Sequence, residues 1–248
     1  MASISYAQCA APVPAALTQA HQLFWDSLRS AGSWWTAADR IAIAVQVRTA
    51  ARCALCRDRK AALVPSALTG SHTADTALPD DAVEIIHRVV TDPGRLSRSW
   101  FERVTAGAVS VEQYVELLGV LVGVLSIDSF CAGIGVAPHS LPAPDRAAGA
   151  PSRYRPPSAV LEDAWVPMIP AAGNASAEAD LWPSGRTANV IRAMSLVPDA
   201  VRALAYLGAA HYLPHHKITD AGARGEHLDR QQMELLAGRV SALNQCFY

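Results

Sequence analysis

The chain has 248 residues, of which 51% are hydrophobic and 17% charged, and its formal net charge is -1. This length allows one large domain or two small ones with a real core. The near-neutral charge, without blocks of like charge, argues against a surface that binds nucleic acid or an anionic membrane. The N-terminal stretch has no basic leader and no sustained hydrophobic run, so we expect no secretory signal and a cytoplasmic protein.

The first half of the sequence predicts a series of helices and no strand. Apolar residues at helical spacing predict helices over 17–30, 37–51, 57–63, 80–90, 96–106 and 111–134. Thr36 and the pair Ser110 and Gln113 have the residue types that cap helix N-termini. The richest apolar run, 115–127, contains a glutamate and is too short to span a bilayer, which predicts a buried core helix.

The second half follows a connector over 137–157 that carries six prolines between small residues. Such a segment cannot form a helix and is typical of a semi-rigid linker. Beyond it, the sequence predicts helices over 160–169, 189–196, 198–213 and 228–243. We therefore predict an all-α protein with a first helical half over 1–136, the connector, and a second helical half over 158–248.

Two segments of the chain resemble each other, which indicates an internal duplication. Residues 39–60 read DRIAIAVQVRTAARCALCRDRK, and residues 229–248 read DRQQMELLAGRVSALNQCFY. Each opens with Asp-Arg, continues through about three turns of mostly apolar residues and reaches a cysteine. The first segment completes a Cys-x-x-Cys pair, Cys53 and Cys56, whereas the second ends at Cys246-Phe247-Tyr248.

The pair Cys53 and Cys56 is the main chemical feature of the first half. With no export signal, five cysteines indicate a redox or metal pair rather than a disulfide scaffold. Amide dipoles at the start of a helix, together with the basic residues of this stretch, favour a thiolate. Two thiols three residues apart can also form a disulfide. The alternatives are half of a zinc site and two packed core cysteines. A structural zinc needs four ligands, and the sequence shows no second Cys-x-x-Cys and no spaced histidine pair. We therefore expect no metal.

The motifs around these cysteines resemble the carboxymuconolactone decarboxylase and alkylhydroperoxidase D superfamily. RVSALNQCFY over 239–248 is similar to its signature, and VRTAARCALC over 47–56 is a looser version. ANVIRAMSLVPDAVRAL over 188–204 resembles its peroxidase-related branch. The resemblance implies an internally duplicated, alkylhydroperoxidase D-like helical bundle that forms homo-oligomers and reduces peroxides through a Cys-x-x-Cys pair. It also implies a proton relay: a glutamate twelve residues before the first cysteine and a histidine four residues after the second.

The second segment carries half of this pattern. Glu234 stands twelve residues before Cys246, but the sequence stops before the second redox residue and the histidine. Some relatives have selenocysteine as the second redox residue, encoded by a codon that is usually read as stop. We therefore expect that a selenocysteine follows Tyr248, with Cys246 as its resolving partner; a lone Cys246 thiol or a frameshift are the alternatives.

The first segment carries the other half. It has both thiols, but Ile41 occupies the glutamate position and Lys60 the histidine position. Asp39 lies two residues too early, about 200° round the helix, so it is a poor substitute for the glutamate. Lys60 could hold a thiolate by its charge, although at its usual pKa it is a poor proton shuttle near neutral pH. Asp39 and Lys60 are therefore secondary candidates beside the two cysteines.

The sequence as a whole predicts a thiol- or selenol-dependent peroxidase or disulfide oxidoreductase that uses redox cysteines and no cofactor. Its partners would be a small peroxide and a thiol or dithiol reductant. A helical binding module that has lost its relay is one alternative. A decarboxylase acting on a lactone, with Arg155 or Arg186 as the carboxylate clamp, is another. We expect His87 to be a hydrogen-bonded core histidine, Cys131 to be a packed core residue, and the histidines of HYLPHH, residues 211–216, to form a solvated turn.

Overall fold

The computed structural model describes residues 3–171, 177–182, 187–214, 217–218, 220–225 and 227–243. These residues contain nine α-helices and no strand beyond one isolated bridge, so the predicted all-α class is confirmed. The helices are α1 (Ala15–Ser27), α2 (Ala37–Ala50), α3 (Ala54–Ala61), α4 (Asp80–Thr91), α5 (Arg98–Thr105), α6 (Val111–Gly133), α7 (Asn189–Arg192), α8 (Pro198–His211) and α9 (Arg230–Leu243). The alkylhydroperoxidase D-like arrangement and the internal duplication stay predictions.

Two helices begin at the caps that the sequence predicts. The Thr36 hydroxyl accepts a hydrogen bond from the Asp39 N–H, and the Asp39 carboxylate accepts one from the Thr36 N–H. Ser110 and Gln113 make the same reciprocal pair at the start of α6. Each box satisfies two backbone donors that the first turn of a helix leaves unpaired, and so fixes where α2 and α6 begin.

Helix α6 is the centre of the main core. It packs against α2, α4 and α8, and its buried side chains include Leu117, Leu121, Val124 and Ile127. By length and composition alone it is apolar enough to cross a membrane, but 56% of its apolar stretch is buried inside the protein. The prediction of a buried core helix for this run is therefore confirmed.

Gly123 sets the distance between α6 and α1. A Cβ at this position would lie 2.0 Å from Cζ of Phe24, whose ring is buried in the main core. Gly123→Val should therefore destabilise the fold by about 1–3 kcal/mol, because the added methyl groups overpack this contact. Urea unfolding measures the change. Gly133→Ala in the same helix is the control: its Cβ meets nothing within 4 Å, so an equal loss there would contradict the packing explanation.

The second half of the chain packs into the same core. Val197, Ala200 and Leu207 belong to the main cluster, and α8 lies against α1 and α6. The segment 137–157 contains no helix, as its prolines predict. It is held to the first half by hydrogen bonds that include Trp25 Nε1 to the Ser140 carbonyl at 2.9 Å. The two predicted halves thus share one main core.

Two predicted elements differ from the structure. Residues 160–169 were predicted as a helix, but Val160 and Met168 pair as an antiparallel bridge. Pro167 lies inside the segment, and a proline there removes a backbone donor and clashes with the preceding turn. In α9 the predicted core face is mostly exposed, since only Met233 of that helix is buried. Helical spacing shows that a face can be buried, not that a partner covers it.

Candidate dithiol site

The two cysteines lie where α2 ends and α3 begins. Cys53 is the N-cap residue of α3, and Cys56 lies in the first turn of that helix. Both side chains are only 2% exposed, and neither forms a disulfide. The sequence predicted this position, at a helix N-terminus, because the apolar pattern of α2 stops at the Cys-x-x-Cys stretch.

Two histidines complete the site, and both direct Nδ1 towards the thiols. His72, on the loop after α3, places Nδ1 3.4 Å from Cys56 Sγ and 3.7 Å from Cys53 Sγ. His87, on α4, places Nδ1 3.3 Å from Cys56 Sγ. The two imidazole rings lie close together, with centroids 4.4 Å apart.

A second layer of hydrogen bonds orients both imidazoles. His72 Nε2 lies 2.7 Å from a carboxylate oxygen of Glu84, and His87 Nε2 lies 3.3 Å from the side-chain oxygen of Gln46. Glu84 also accepts hydrogen bonds from Arg59 at 2.9 Å and from Trp100 Nε1 at 3.1 Å. Because both outer contacts have an oxygen acceptor, each imidazole can donate its Nε2–H outward and present Nδ1 to sulfur.

These contacts favour a thiolate beside an imidazolium. Burial raises the pKa of Cys53, but hydrogen bonds from the Thr73 and Cys56 amides and from His72 outweigh it and lower that pKa to about 6. Burial lowers the pKa of His72, yet its bonds to the cysteines and to Glu84 raise it to about 10. Burial also raises the pKa of Glu84, whose hydrogen bonds from His72, Trp100 and Arg59 lower it to about 2. Near neutral pH the Glu84 carboxylate, the His72 imidazolium and the Cys53 thiolate therefore form a charged row.

His87 behaves differently. Burial, followed by the positive charge of His72, lowers its pKa to about 4, so this imidazole is neutral near pH 7. A neutral ring that donates Nε2–H to Gln46 has a free lone pair on Nδ1, directed at Cys56. His87 Nδ1 can therefore accept a hydrogen bond from the Cys56 thiol.

A polar cavity of about 720 Å³ opens beside the site. Its walls include His72, Glu84, Trp100 and Arg59, whereas neither cysteine lines it. A molecule in this cavity would meet the imidazole of His72 before it reached a sulfur. The burial of both sulfurs behind this wall restricts access to them, most of all for a bulky oxidant.

The other predicted site residues lie away from this dithiol. Lys60 is exposed, and about three turns of α2 separate Asp39, which caps that helix, from Cys53. Glu234 is half exposed, pairs with Arg230 at 2.8 Å and accepts a hydrogen bond from Tyr212. Cys246 lies outside the described residues. The hydrogen bonds to the thiols come instead from residues that the sequence analysis did not select as a relay.

Of the two arginines considered for a decarboxylase, the structure describes only Arg155. Arg155 pairs with Glu112 at 3.0 Å, and Arg186 lies outside the described residues, as do His215 and His216 of the HYLPHH turn.

His72 and Glu84 are the functional candidates that sequence reasoning missed. His72 lies in a polar stretch that predicted only a flexible connection, and no local pattern marks it. Glu84 and His87 did leave a signal, because they are three residues apart on α4 and such residues share a helix face. The prediction that His87 is a hydrogen-bonded core histidine is confirmed, since it is fully buried and bonded to Gln46 and Cys56.

A second histidine cluster joins the two halves of the chain. His21 is fully buried, with Nδ1 2.6 Å from the Tyr6 hydroxyl and Nε2 2.6 Å from His211 Nε2. Cys131 lies 3.8 Å from the same hydroxyl, and burial raises the pKa of this thiol. Among the described residues, no carboxylate is hydrogen-bonded to His21 or His211 as Glu84 is to His72, so we interpret this cluster as a site of packing and hydrogen bonding.

Comparisons of the chain with protein-family models, with curated proteins and with solved structures found no match. The geometry of the dithiol site therefore carries the functional assignment.

Proposed function

We propose that Cys53 and Cys56 form a redox-active dithiol that reduces small hydroperoxides. One observation carries this proposal: both sulfurs lie within 3.7 Å of His72 Nδ1, and the far nitrogen of that ring is held by Glu84. The arrangement provides a nucleophile, a resolving thiol and a proton donor within one buried cluster. His72 and Glu84 take the role that the resemblance assigned to a glutamate and a histidine elsewhere in the motif.

The reaction begins at Cys53, whose thiolate attacks one oxygen of the peroxide bond. The O–O bond breaks, Cys53 becomes a sulfenic acid, and the leaving alkoxide or hydroxide takes a proton from the His72 imidazolium. Cys56 then attacks the Cys53 sulfur and gives its thiol proton to His72, which became neutral in the first step and lies 3.4 Å away. The S–O bond breaks, and the departing hydroxide takes this proton from His72 and leaves as water. In sum, two thiols and one hydroperoxide give a disulfide, an alcohol and water.

An external dithiol would restore the pair by thiol–disulfide exchange. Since both sulfurs are 2% exposed, this step requires local opening around the start of α3 or a small reductant. The same burial limits the oxidant to hydrogen peroxide or a short alkyl hydroperoxide. These limits agree with a thiol peroxidase and disfavour exchange with bulky protein disulfides.

The test follows the tryptic peptide that carries both cysteines, residues 53–57, which lies between Arg52 and Arg57. After one equivalent of hydrogen peroxide, this peptide should lose two hydrogens and resist alkylation, because an internal disulfide has formed. With excess dithiothreitol, the wild-type chain should consume many equivalents of peroxide, and Cys53→Ser should lose nearly all of this turnover.

Cys131→Ser is the matched control, because Cys131 is equally buried but lies against Tyr6 in the second cluster. It should keep the wild-type turnover. If the wild-type peptide stays reduced and alkylatable after peroxide, the dithiol is not redox-active and the chain is better described as a non-catalytic helical module.

A further inference from the structure

Four potential metal ligands converge at the dithiol. Sγ of Cys53 and Cys56 and one ring nitrogen each of His72 and His87 all lie within 4.8 Å of one another. In the described part of the chain, no other group of histidine, cysteine and acidic residues meets this condition. No local sequence motif marks these four ligands, because the two histidines lie 15 residues apart, one on a loop and one on a helix.

The spacing of these atoms matches a tetrahedral zinc site. Zn–S bonds of about 2.3 Å and Zn–N bonds of about 2.0–2.1 Å, at tetrahedral angles, put ligand atoms about 3.4–3.8 Å apart. Three of the four sulfur–nitrogen distances in the cluster are 3.3, 3.4 and 3.7 Å, and the fourth, between Cys53 and His87, is within 4.8 Å. A single ion at the centre would therefore need only small side-chain shifts.

The outer contacts are those that zinc-bound histidines use. A histidine ligand almost always donates its second ring N–H to a carboxylate or another oxygen, which fixes the ring and its tautomer. Glu84 does this for His72, and Gln46 does it for His87. Both rings thus present Nδ1 to the same point, and a buried set of two cysteines and two histidines is typical of a closed structural site.

We propose that the reduced protein binds one zinc ion through Cys53, Cys56, His72 and His87, and that oxidation of the two thiols releases it. Zinc binding stands on geometry alone; the release step rests on the proposed function. In that step two zinc-bound thiolates give two electrons to the peroxide O–O bond and form the disulfide. Two protons convert the peroxide oxygens to water, or to water and an alcohol, and the ion leaves as Zn²⁺. The disulfide form has lost both thiolate ligands, so it cannot hold the ion until a dithiol reduces it.

The first experiment titrates the reduced, metal-free, full-length chain with zinc against a chromophoric chelator. We expect one zinc per chain. His87→Gln should weaken binding by at least about 100-fold, and Gln46→Ala by about 10–100-fold, the range for partners that orient a ligand. His21→Gln is the matched control, because His21 is also a fully buried histidine, and it should bind zinc as the wild type does.

The absorption spectrum of bound Co²⁺ identifies the ligands directly. Co²⁺ bound at this site should show the visible bands of a tetrahedral ion and the charge-transfer bands of thiolate ligands. Cys56→Ser should lose part of the charge-transfer band, and Cys131→Ser should keep all of it. A folded, reduced wild-type chain that takes up no zinc would overturn the proposal, and so would a His87→Gln variant with wild-type affinity.

The second experiment treats the zinc-loaded chain with hydrogen peroxide. One zinc should be released for each disulfide between Cys53 and Cys56, and the oxidised chain should not rebind zinc until a dithiol is added. Disulfide formation in a chain that never binds zinc would overturn the zinc site and leave the peroxide chemistry standing. Zinc binding without disulfide formation would overturn the release step and the peroxide chemistry and leave the zinc site standing.

Discussion

Replacing Glu84 by alanine should lower the free energy of unfolding by about 3–5 kcal/mol, the range for removing one partner of a buried ion pair. The Glu84 side chain is only 17% exposed and holds Arg59 at 2.9 Å, His72 at 2.7 Å and Trp100 at 3.1 Å. Without it, His72 and the Trp100 indole N–H would lose their carboxylate acceptor, and Arg59 would keep the Leu68 carbonyl as an acceptor. Glu84→Gln should lose less, since it keeps an oxygen acceptor while it removes the charge. Urea unfolding of the reduced, metal-free chain measures both changes.

Glu112→Ala is the control for this prediction. The Glu112 and Glu84 side chains are equally exposed, at 17%, but the partner Arg155 is 46% exposed whereas Arg59 is 14% exposed. An ion pair with an exposed member contributes about 0–1 kcal/mol. The two variants remove the same group from two ion pairs that differ in burial. If Glu84→Ala costs no more than Glu112→Ala, Glu84 is a surface carboxylate in effect, and its role in holding His72 would have to be abandoned.

The helices of the first half could be predicted from sequence because local signals set them. Thr36 and Ser110 mark the starts of α2 and α6, and the long apolar run of α6, interrupted by a glutamate, predicts a helix buried in the core. The prediction failed over 160–169, where Pro167 outweighs the apolar spacing. It also failed for the core face of α9, because the covering partner of an amphipathic helix is a tertiary property that its own sequence does not encode.

The site was only half predictable for the same reason. Cys53 and Cys56 are neighbours in sequence, so their pairing and their position at a helix start can be read directly. His72 comes from a loop without a pattern, and Gln46 from one turn before the end of α2. His87 reaches Cys56 and Gln46 because α4 packs against α2 and α3. From sequence alone, the glutamate role therefore falls to Glu234, and Asp39 and Lys60 are only secondary candidates, since no local motif places His72 or Glu84 beside the cysteines.

Acid should destabilise this protein between pH 6.5 and about 4, and His21 should supply much of the loss. Burial first, and then the charges of His211 and His139, lower the pKa of His21 from 6.5 to about 4. Above pH 6.5 the ring is neutral in both the folded and the unfolded chain, so it has no effect on stability. As the pH falls below 6.5 the unfolded chain takes up a proton that the folded chain refuses, and unfolding becomes easier until about pH 4.

The size of this effect follows from the pKa difference, since each unit corresponds to about 1.4 kcal/mol, which gives about 3 kcal/mol for His21. Urea unfolding at a series of pH values from 7 to 4 measures it. The groups that face His21 are the Tyr6 hydroxyl, His211 and His139, and burial lowers the pKa of both of these histidines too.

His21→Gln should be less stable at pH 7, because it loses hydrogen bonds, but its stability should fall less with acid. Equal slopes in the wild type and His21→Gln would show that the acid loss arises elsewhere, with the neutral His87 as the next residue to replace.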